Sequence, residues 1–193
     1  MQDDQTLARD VTSTFFTDMS QPQKKGCSNV ETNPPISLLG SSLLVRTDEG
    51  RTLRASGHAI VVLLDGKQTG GKFTAFLNMT PPGCGPGPHY HEREDEWFYI
   101  IEGRVSFLLN GTGTDLSPGD CVYSPRGSIH GFKNTTDQPI RVFISIAPAG
   151  FEHFFAEAGE VWAQPKPDMS RMTAIEEKYG IHGVGAAYRT NKT

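Results

Sequence analysis

Cysteine is scarce in this chain. Its three copies, Cys27, Cys84 and Cys121, are odd in number and widely spaced, which excludes a disulfide framework and fits a reducing compartment. Long hydrophobic runs are missing as well, and none approaches the roughly 20 apolar residues that a spanning helix needs. The start, Met1-Gln2-Asp3-Asp4, is acidic and leads into no apolar segment. No secretory signal is read there, and a cytoplasmic location is expected. On that expectation the N-x-T sequons at Asn78, Asn110, Asn134 and Asn191 carry no meaning for glycosylation. Excess positive charge is absent too: the net charge of −4 gives no electrostatic footing for nucleic acid or an anionic membrane.

What is abundant is turn chemistry. Twenty-one glycines and thirteen prolines fall between short apolar runs. Candidate strands are Ser42–Arg46, His58–Leu64, Lys72–Met79, Glu96–Glu102, Val105–Leu109, Cys121–Tyr123, Gly131–Lys133 and Ile140–Ala147. Asp65-Gly66, Gly70-Gly71, Asn110-Gly111 and Ser117-Pro118-Gly119-Asp120 punctuate them. Such spacing without a helical period predicts an all-β antiparallel sandwich or barrel over residues 36–148. Before it, residues 1–35 form a polar arm with a short amphipathic helix expected between Thr6 and Met19. After it, residues 149–193 form a helical extension. There Phe151–Ala158 is expected to be a helix stopped by Gly159. A second helix is expected to run from an Asp168 N-cap to Tyr179, with Gly180 past its end.

The chemistry lies in two segments, 83–103 and 119–134. His89 and His91 are two apart, so on a strand they share one face. Glu96 follows, and by alternation it shares a face with Phe98 and Ile100 while Trp97, Tyr99 and Ile101 take the other. Glu92, Glu94 and Asp95 are neighbouring carboxylates, and parity selects Glu96. His130 comes from the second segment, aimed by the turn at Pro125 and Gly127, with Asn134 placed to hold that turn. Three imidazoles and one carboxylate suit one divalent transition metal, whether iron, manganese, nickel, cobalt, copper or zinc, with a coordination position left open. Glu96 is the candidate catalytic base as well as a ligand. Phe98, Ile100 and Phe132 are candidate substrate-pocket residues, together with Phe73 or Phe76. Phe151 and Phe154 either cap the barrel or anchor a helix, and Phe155 is read as an anchor. No role is assigned to His58, His153 or His182. Cys84 and Cys121 read as small buried fillers, and Arg126 as either solvated or a contact for an anionic group.

The pattern Gly83-x5-His89-x-His91-x4-Glu96-x6-Gly103, then Gly119-x5-Pro125-x-Gly127-x2-His130-x3-Asn134, resembles the two motifs of the cupin superfamily. The resemblance covers about residues 40–148 and implies a double-stranded β-helix, the jelly-roll barrel, in a single-domain cupin. Pro148-Ala149-Gly150-Phe151-Glu152-His153-Phe154-Phe155, the long arm, and Glu177-Lys178-Tyr179-Gly180-Ile181 resemble the corresponding parts of bacterial quercetin 2,3-dioxygenase-like proteins. That narrower resemblance implies a small enolic or phenolic substrate and O2 as the partners in a dioxygenase reaction. Isomerase or cyclase chemistry, or ligand binding without turnover, are the competing expectations. Trp97, Tyr99 and Ile101 on the outer face call for a cover, and a homodimer is expected.

Overall fold

Alternation of buried and exposed residues is carried furthest by one strand at the centre of the fold. In β10 (Ile140–Ala147), Ile140, Val142, Ile144 and Ile146 are buried while the residues between them are not, the period of two that a half-buried strand requires. The computed structural model describes residues 42–55 and 57–184. The arm at residues 1–35 and the helix expected between Thr6 and Met19 lie outside the described residues.

The remaining strands are β1 (Arg51–Ala55), β2 (His58–Leu64), β3 (Thr74–Thr80), β4 (His89–His91), β5 (Asp95–Glu102), β6 (Val105–Leu109), β7 (Thr112–Leu116), β8 (Cys121–Ser124), β9 (His130–Asn134) and β11 (Ile181–Gly183). The helices are α1 (Gly66–Thr69), α2 (Phe151–Trp162) and α3 (Met169–Tyr179). Two antiparallel sheets result. One runs β1-β2-β3-β10-β5-β8 and the other β11-β4-β9-β6-β7, the antiparallel arrangement expected from the turn punctuation and the double-stranded β-helix that the motif resemblance implies. Between them Phe76, Phe98, Phe107, Ile60, Ile100, Val142 and Ile146 are fully buried. The rings of Phe98 and Phe107 meet edge to face at 4.9 Å, a favoured aromatic geometry.

Several expectations are corrected. No strand forms at Ser42–Arg46; the edge strand is β1, whose sequence Arg51-Thr52-Leu53-Arg54-Ala55 is mostly exposed. Charged, thinly apolar edges resist pairing with other chains, and the same property hides them from a hydrophobicity pattern. β7 was masked by its polar run, Thr112-Gly113-Thr114-Asp115-Leu116. It pairs with β6 through the hairpin at Asn110 (φ 49°) and Gly111 (φ 85°), where both positive φ values match the twist of the strands. Helix α2 does not stop at Gly159 but runs on to Trp162. A Cβ on Gly159 would lie 2.7 Å from the carbonyl oxygen of Arg54, so this glycine lets the helix touch β1. Helix α3 forms where expected, with the Asp168 side chain accepting from the backbone N–H groups of Ser170 and Arg171 and with Gly180 left-handed at its end.

Two buried polar side chains staple the barrel. Asn134 donates to the carbonyls of Thr80 (3.0 Å) and Gln138 (2.8 Å) and accepts from the N–H of Thr136 (2.9 Å). Asn134→Ala leaves the buried Thr80 carbonyl without that donor and is expected to cost about 3 kcal/mol, read as a lowered denaturant midpoint at unchanged slope. Glu152, in the first turn of α2, accepts from the N–H groups of Gly66 (2.8 Å) and Gly150 (3.0 Å) and from the Thr74 hydroxyl. Burial disfavours its charge, but the Thr74 hydroxyl and these N–H groups outweigh burial and hold its carboxyl below the ordinary value. A depressed folded-state pKa stabilises above the unfolded value of about 4.3 and is lost as pH falls through the folded value. Glu152→Gln is therefore expected to destabilise at neutral pH and to make acid unfolding shallower, seen by comparing melting temperatures between pH 7 and pH 3.

Candidate metal centre and cavity

The candidate ligands come from both sheets. β4 carries His89 and His91 on one face, and the register places His89 directly opposite His130 on β9. Glu96 reaches in from β5 on the other sheet, in the alternating row Glu96, Phe98, Ile100. One ligand atom from each of His89, His91, Glu96 and His130 lies within 4.8 Å of all the others.

The local chain explains this convergence. Residues 83–88 lie against β9: Gly83 N–H donates to the Asn134 carbonyl (2.9 Å), Asn134 N–H to Cys84 (2.8 Å) and Phe132 N–H to Pro86 (3.2 Å). The approach is so close at Gly85 that a Cβ would fall 2.0 Å from the Phe132 carbonyl oxygen. On the far side, Gly127 N–H donates to the His91 carbonyl (2.7 Å). Arg126 is not held toward the cavity. Its guanidinium forms a two-pronged pair with Asp95 (3.0 and 3.1 Å), which ties the turn before His130 to the start of β5 and keeps the Asp95 carboxyl below its ordinary pKa.

Each histidine has a polar neighbour at Nδ1 that the sequence reading missed, and for His89 and His130 it is a hydrogen-bond partner. The Nδ1 atoms of His89 and His130 lie 2.8 Å and 3.0 Å from the carbonyls of Gly87 and Ser128. Those acceptors fix the proton on Nδ1 and leave Nε2 as the ligand nitrogen. His91 Nδ1 faces Glu94 at 3.6 Å. The i,i+3 spacing of His91 and Glu94 was the available signal; the carbonyl partners had none, because they depend on how the turns close.

The electrostatics are those of a collected charge pair. Glu96 Oε2 lies 2.9 Å from His130 Nε2 and 3.3 Å from His91 Nε2. Burial disfavours the charge on Glu96, yet the two imidazoles outweigh it and hold the carboxyl well below the usual range. Burial likewise opposes charge on His91, and Glu94 and Glu96 overcome it to raise its pKa to about 9. His89 is pushed down to about 4 by burial and by His130 and His91. His91 is 2% exposed, and neither of its ring nitrogens has a hydrogen-bond partner among the described residues. Buried nitrogens without partners are costly, and a metal ion is the kind of partner an inward Nε2 would satisfy. With N and O donors in a buried cluster, the residues fit a divalent transition metal.

The cluster opens onto a cavity of about 360 Å³ lined by His89, His91 and Glu96 and walled by Phe76, Phe98, Phe132, Phe151, Phe154 and Phe155. Phe98 and Phe132 are thus at the cavity, whereas Ile100, one alternation beyond Phe98, lies in the packed core. Phe155 lines the cavity while packing edge to face on Phe76 at 5.2 Å. Of the cysteines in the described residues, Cys84 is half-buried and Cys121 is exposed. The filler reading fails for Cys121 because its parity on β8 points outward, beside the Trp97 indole.

Comparison with known proteins gives a consistent family. The cupin-domain family model matches residues 76–146. The chain is similar to an oxalate-binding protein of Thermotoga maritima, 31% identical over 104 residues, spanning 50% of this chain and 86% of that one. It is also similar to quercetin 2,3-dioxygenase of Bacillus subtilis, 27% identical over 117 residues, covering 61% of this chain. That alignment takes in only 34% of the relative's length. Among solved structures, one described as a predicted oxalate decarboxylase from Thermotoga maritima superposes with a TM-score of 0.52 at 26% identity, over 55% of this chain and 99% of that one.

Proposed function

The chain belongs to the cupin family, and from that premise we propose that it is a metal-dependent dioxygenase acting on a flavonol-like or other small enolic or phenolic substrate. The observation that carries this reading is the meeting of three imidazoles and one carboxylate at the wall of a phenylalanine-lined cavity. The similarity to a quercetin 2,3-dioxygenase supports the same choice.

In this proposal His89, His91, His130 and Glu96 hold one divalent metal. When bound, the metal supplies a Lewis acid that lowers the pKa of a substrate hydroxyl. Glu96 is the group on this chain placed to take the hydroxyl proton. Its Oε2 lies 2.9 Å from His130 Nε2 and 3.3 Å from His91 Nε2, inside the cluster where the metal would hold that hydroxyl. Phe98, Phe132 and Phe151 exclude water around the reacting carbon atoms and offer ring faces to a flat substrate. The enolate so formed is the electron-rich partner that dioxygen requires.

The test is anaerobic addition of a flavonol to the metal-loaded protein, followed by air. A shifted absorption band that decays only with oxygen is the expected result. A band that persists in air would replace the dioxygenase reading with an isomerase, cyclase or binding role. No shift with any of the six candidate metals would remove the flavonol.

The proposal extends to assembly as a homodimer. Trp97, Tyr99, Ile101 and Tyr123 stand exposed on one outer sheet face, and light scattering at micromolar concentration reads the mass directly. No helix among the described residues is long and apolar enough to cross a membrane.

A further inference from the structure

The cavity has a second polar end. Besides the metal-site residues, its lining includes His58 on β2 and Asn78 on β3, both buried. The strand register separates the two ends. Glu96 stands opposite Ile146, and Ile146 opposite Thr74, with Asn78 four residues further along β3. Two strand spacings and four residues of rise put the Glu96 and Asn78 backbones roughly 16 Å apart. Phe76, Phe98, Phe132 and Ile144 line the cavity too, so its polar ends are joined by apolar wall.

Hydrogen bonding fixes what this end presents. The Thr80 hydroxyl donates to Asn78 Oδ1 (3.2 Å). His58 Nδ1 lies 3.3 Å from the same Oδ1 and 3.2 Å from Thr80 Oγ1. With the Thr80 proton already given to Asn78, both of those oxygens act as acceptors toward His58, so Nδ1 carries the ring proton. Burial lowers the His58 pKa against the opposing hydrogen bond to Asn78, which keeps the ring neutral. Its Nε2 is then a bare acceptor, and the Asn78 amide Nδ2 a donor. Neither atom has a hydrogen-bond partner among the described residues. An acceptor beside a donor, both uncharged, matches a hydroxyl group, which donates one hydrogen bond and accepts another. A carboxylate would face the Nε2 lone pair with no proton to offer it.

We propose that His58 and Asn78 form a distal subsite that binds a neutral hydroxyl of the substrate, selecting elongated, apolar molecules hydroxylated at the end away from the metal centre. The inference rests on the proposed function in taking this cavity as the substrate site. It assigns the specificity of that site to two residues outside both sequence motifs. Thr80 acts through them as a positioning residue, because its hydroxyl fixes the orientation of the Asn78 amide.

The test measures anaerobic binding of flavone, 3-hydroxyflavone, 4′-hydroxyflavone and 3,4′-dihydroxyflavone to the metal-loaded protein, and to His58→Phe and Asn78→Leu proteins shown to be folded by circular dichroism. In the unsubstituted protein the 4′-hydroxyl is expected to tighten binding about tenfold, with or without the 3-hydroxyl. Either substitution is expected to reduce that gain to less than about twofold, while the gain from the 3-hydroxyl stays. If the metal and enol reading fails, the 3-hydroxyl gain vanishes and the 4′-hydroxyl gain survives, so the two failures are distinguishable. Absence of a 4′-hydroxyl gain in the unsubstituted protein overturns the subsite. So does a gain that persists in both variants. Should either variant not fold, a crystal structure of the unsubstituted protein with 4′-hydroxyflavone decides the matter. The hydroxyl is expected within hydrogen-bond distance of His58 Nε2, and a hydroxyl elsewhere in the cavity overturns the proposal.

Discussion

His91→Ala is expected to abolish stoichiometric metal binding, with a loss in affinity of more than about a hundredfold. Replacing only an orienting partner of a ligand typically costs 10- to 100-fold, and His91 is proposed as a ligand itself. Its ring is buried, with Nε2 3.3 Å from Glu96 and no hydrogen-bond partner among the described residues, and alanine offers no donor atom in its place. Metal analysis after gel filtration measures the outcome, and full occupancy in the folded variant would sink the site assignment. Glu96→Gln divides the proposed roles of the carboxylate. Metal retained with turnover lost identifies Glu96 first as a base. Metal lost identifies it first as a ligand. In either case turnover is expected to fall by at least about a hundredfold, the lower range for removal of a general base.

The second large effect is expected far from the motifs, at the C-terminal strand. β4 meets β9 only at His89 and His130. Its other edge pairs with β11, where Ile181 stands opposite His91, His182 opposite Tyr90 and Gly183 opposite His89. Val184 N–H also donates to the Pro88 carbonyl at 2.8 Å, and the His182 ring stacks on Tyr90 at 4.8 Å. A three-residue strand carrying two candidate ligands is thus held on one side largely by β11. Ending the chain after Gly180 is expected to weaken metal binding about 10- to 100-fold. Loss of the buried Ile181 side chain and of the strand hydrogen bonds should lower stability by about 3 kcal/mol. Ending it after Val184 keeps β11, and both properties should stay near those of the full chain. Competition with a chromophoric chelator gives the affinities, and equal values for the two truncations would remove β11 from the account.

Much of the site was legible because it is written in local spacing. Parity alone put Glu96, Phe98 and Ile100 on one face, and β5 shows that alternation with Trp97, Tyr99 and Ile101 more exposed. Asp168 and Gly180 marked the ends of α3 because caps act within one turn. The misses share a different origin. Gly159 reads as a helix stop, yet it is the point where α2 touches Arg54, more than a hundred residues earlier. β1 and β7 are strands by virtue of their neighbours and carry little apolar pattern of their own.

The sequence by itself determined the two metal-motif segments, the all-β class and the identity of the four candidate ligands, since each depends on residue types a few positions apart. Only the tertiary structure decided that β11 braces β4, that Gly87, Ser128 and Glu94 face the imidazoles, and that His58 and Asn78 share a cavity with the metal centre. Those relations join residues from two positions apart, as His89 and Gly87 are, to more than ninety, as Gly183 and His89 are, through sheet register and turn closure. Backbone hydrogen bonding leaves side-chain periodicity unchanged whichever strand becomes the partner, so no local pattern could have recorded them.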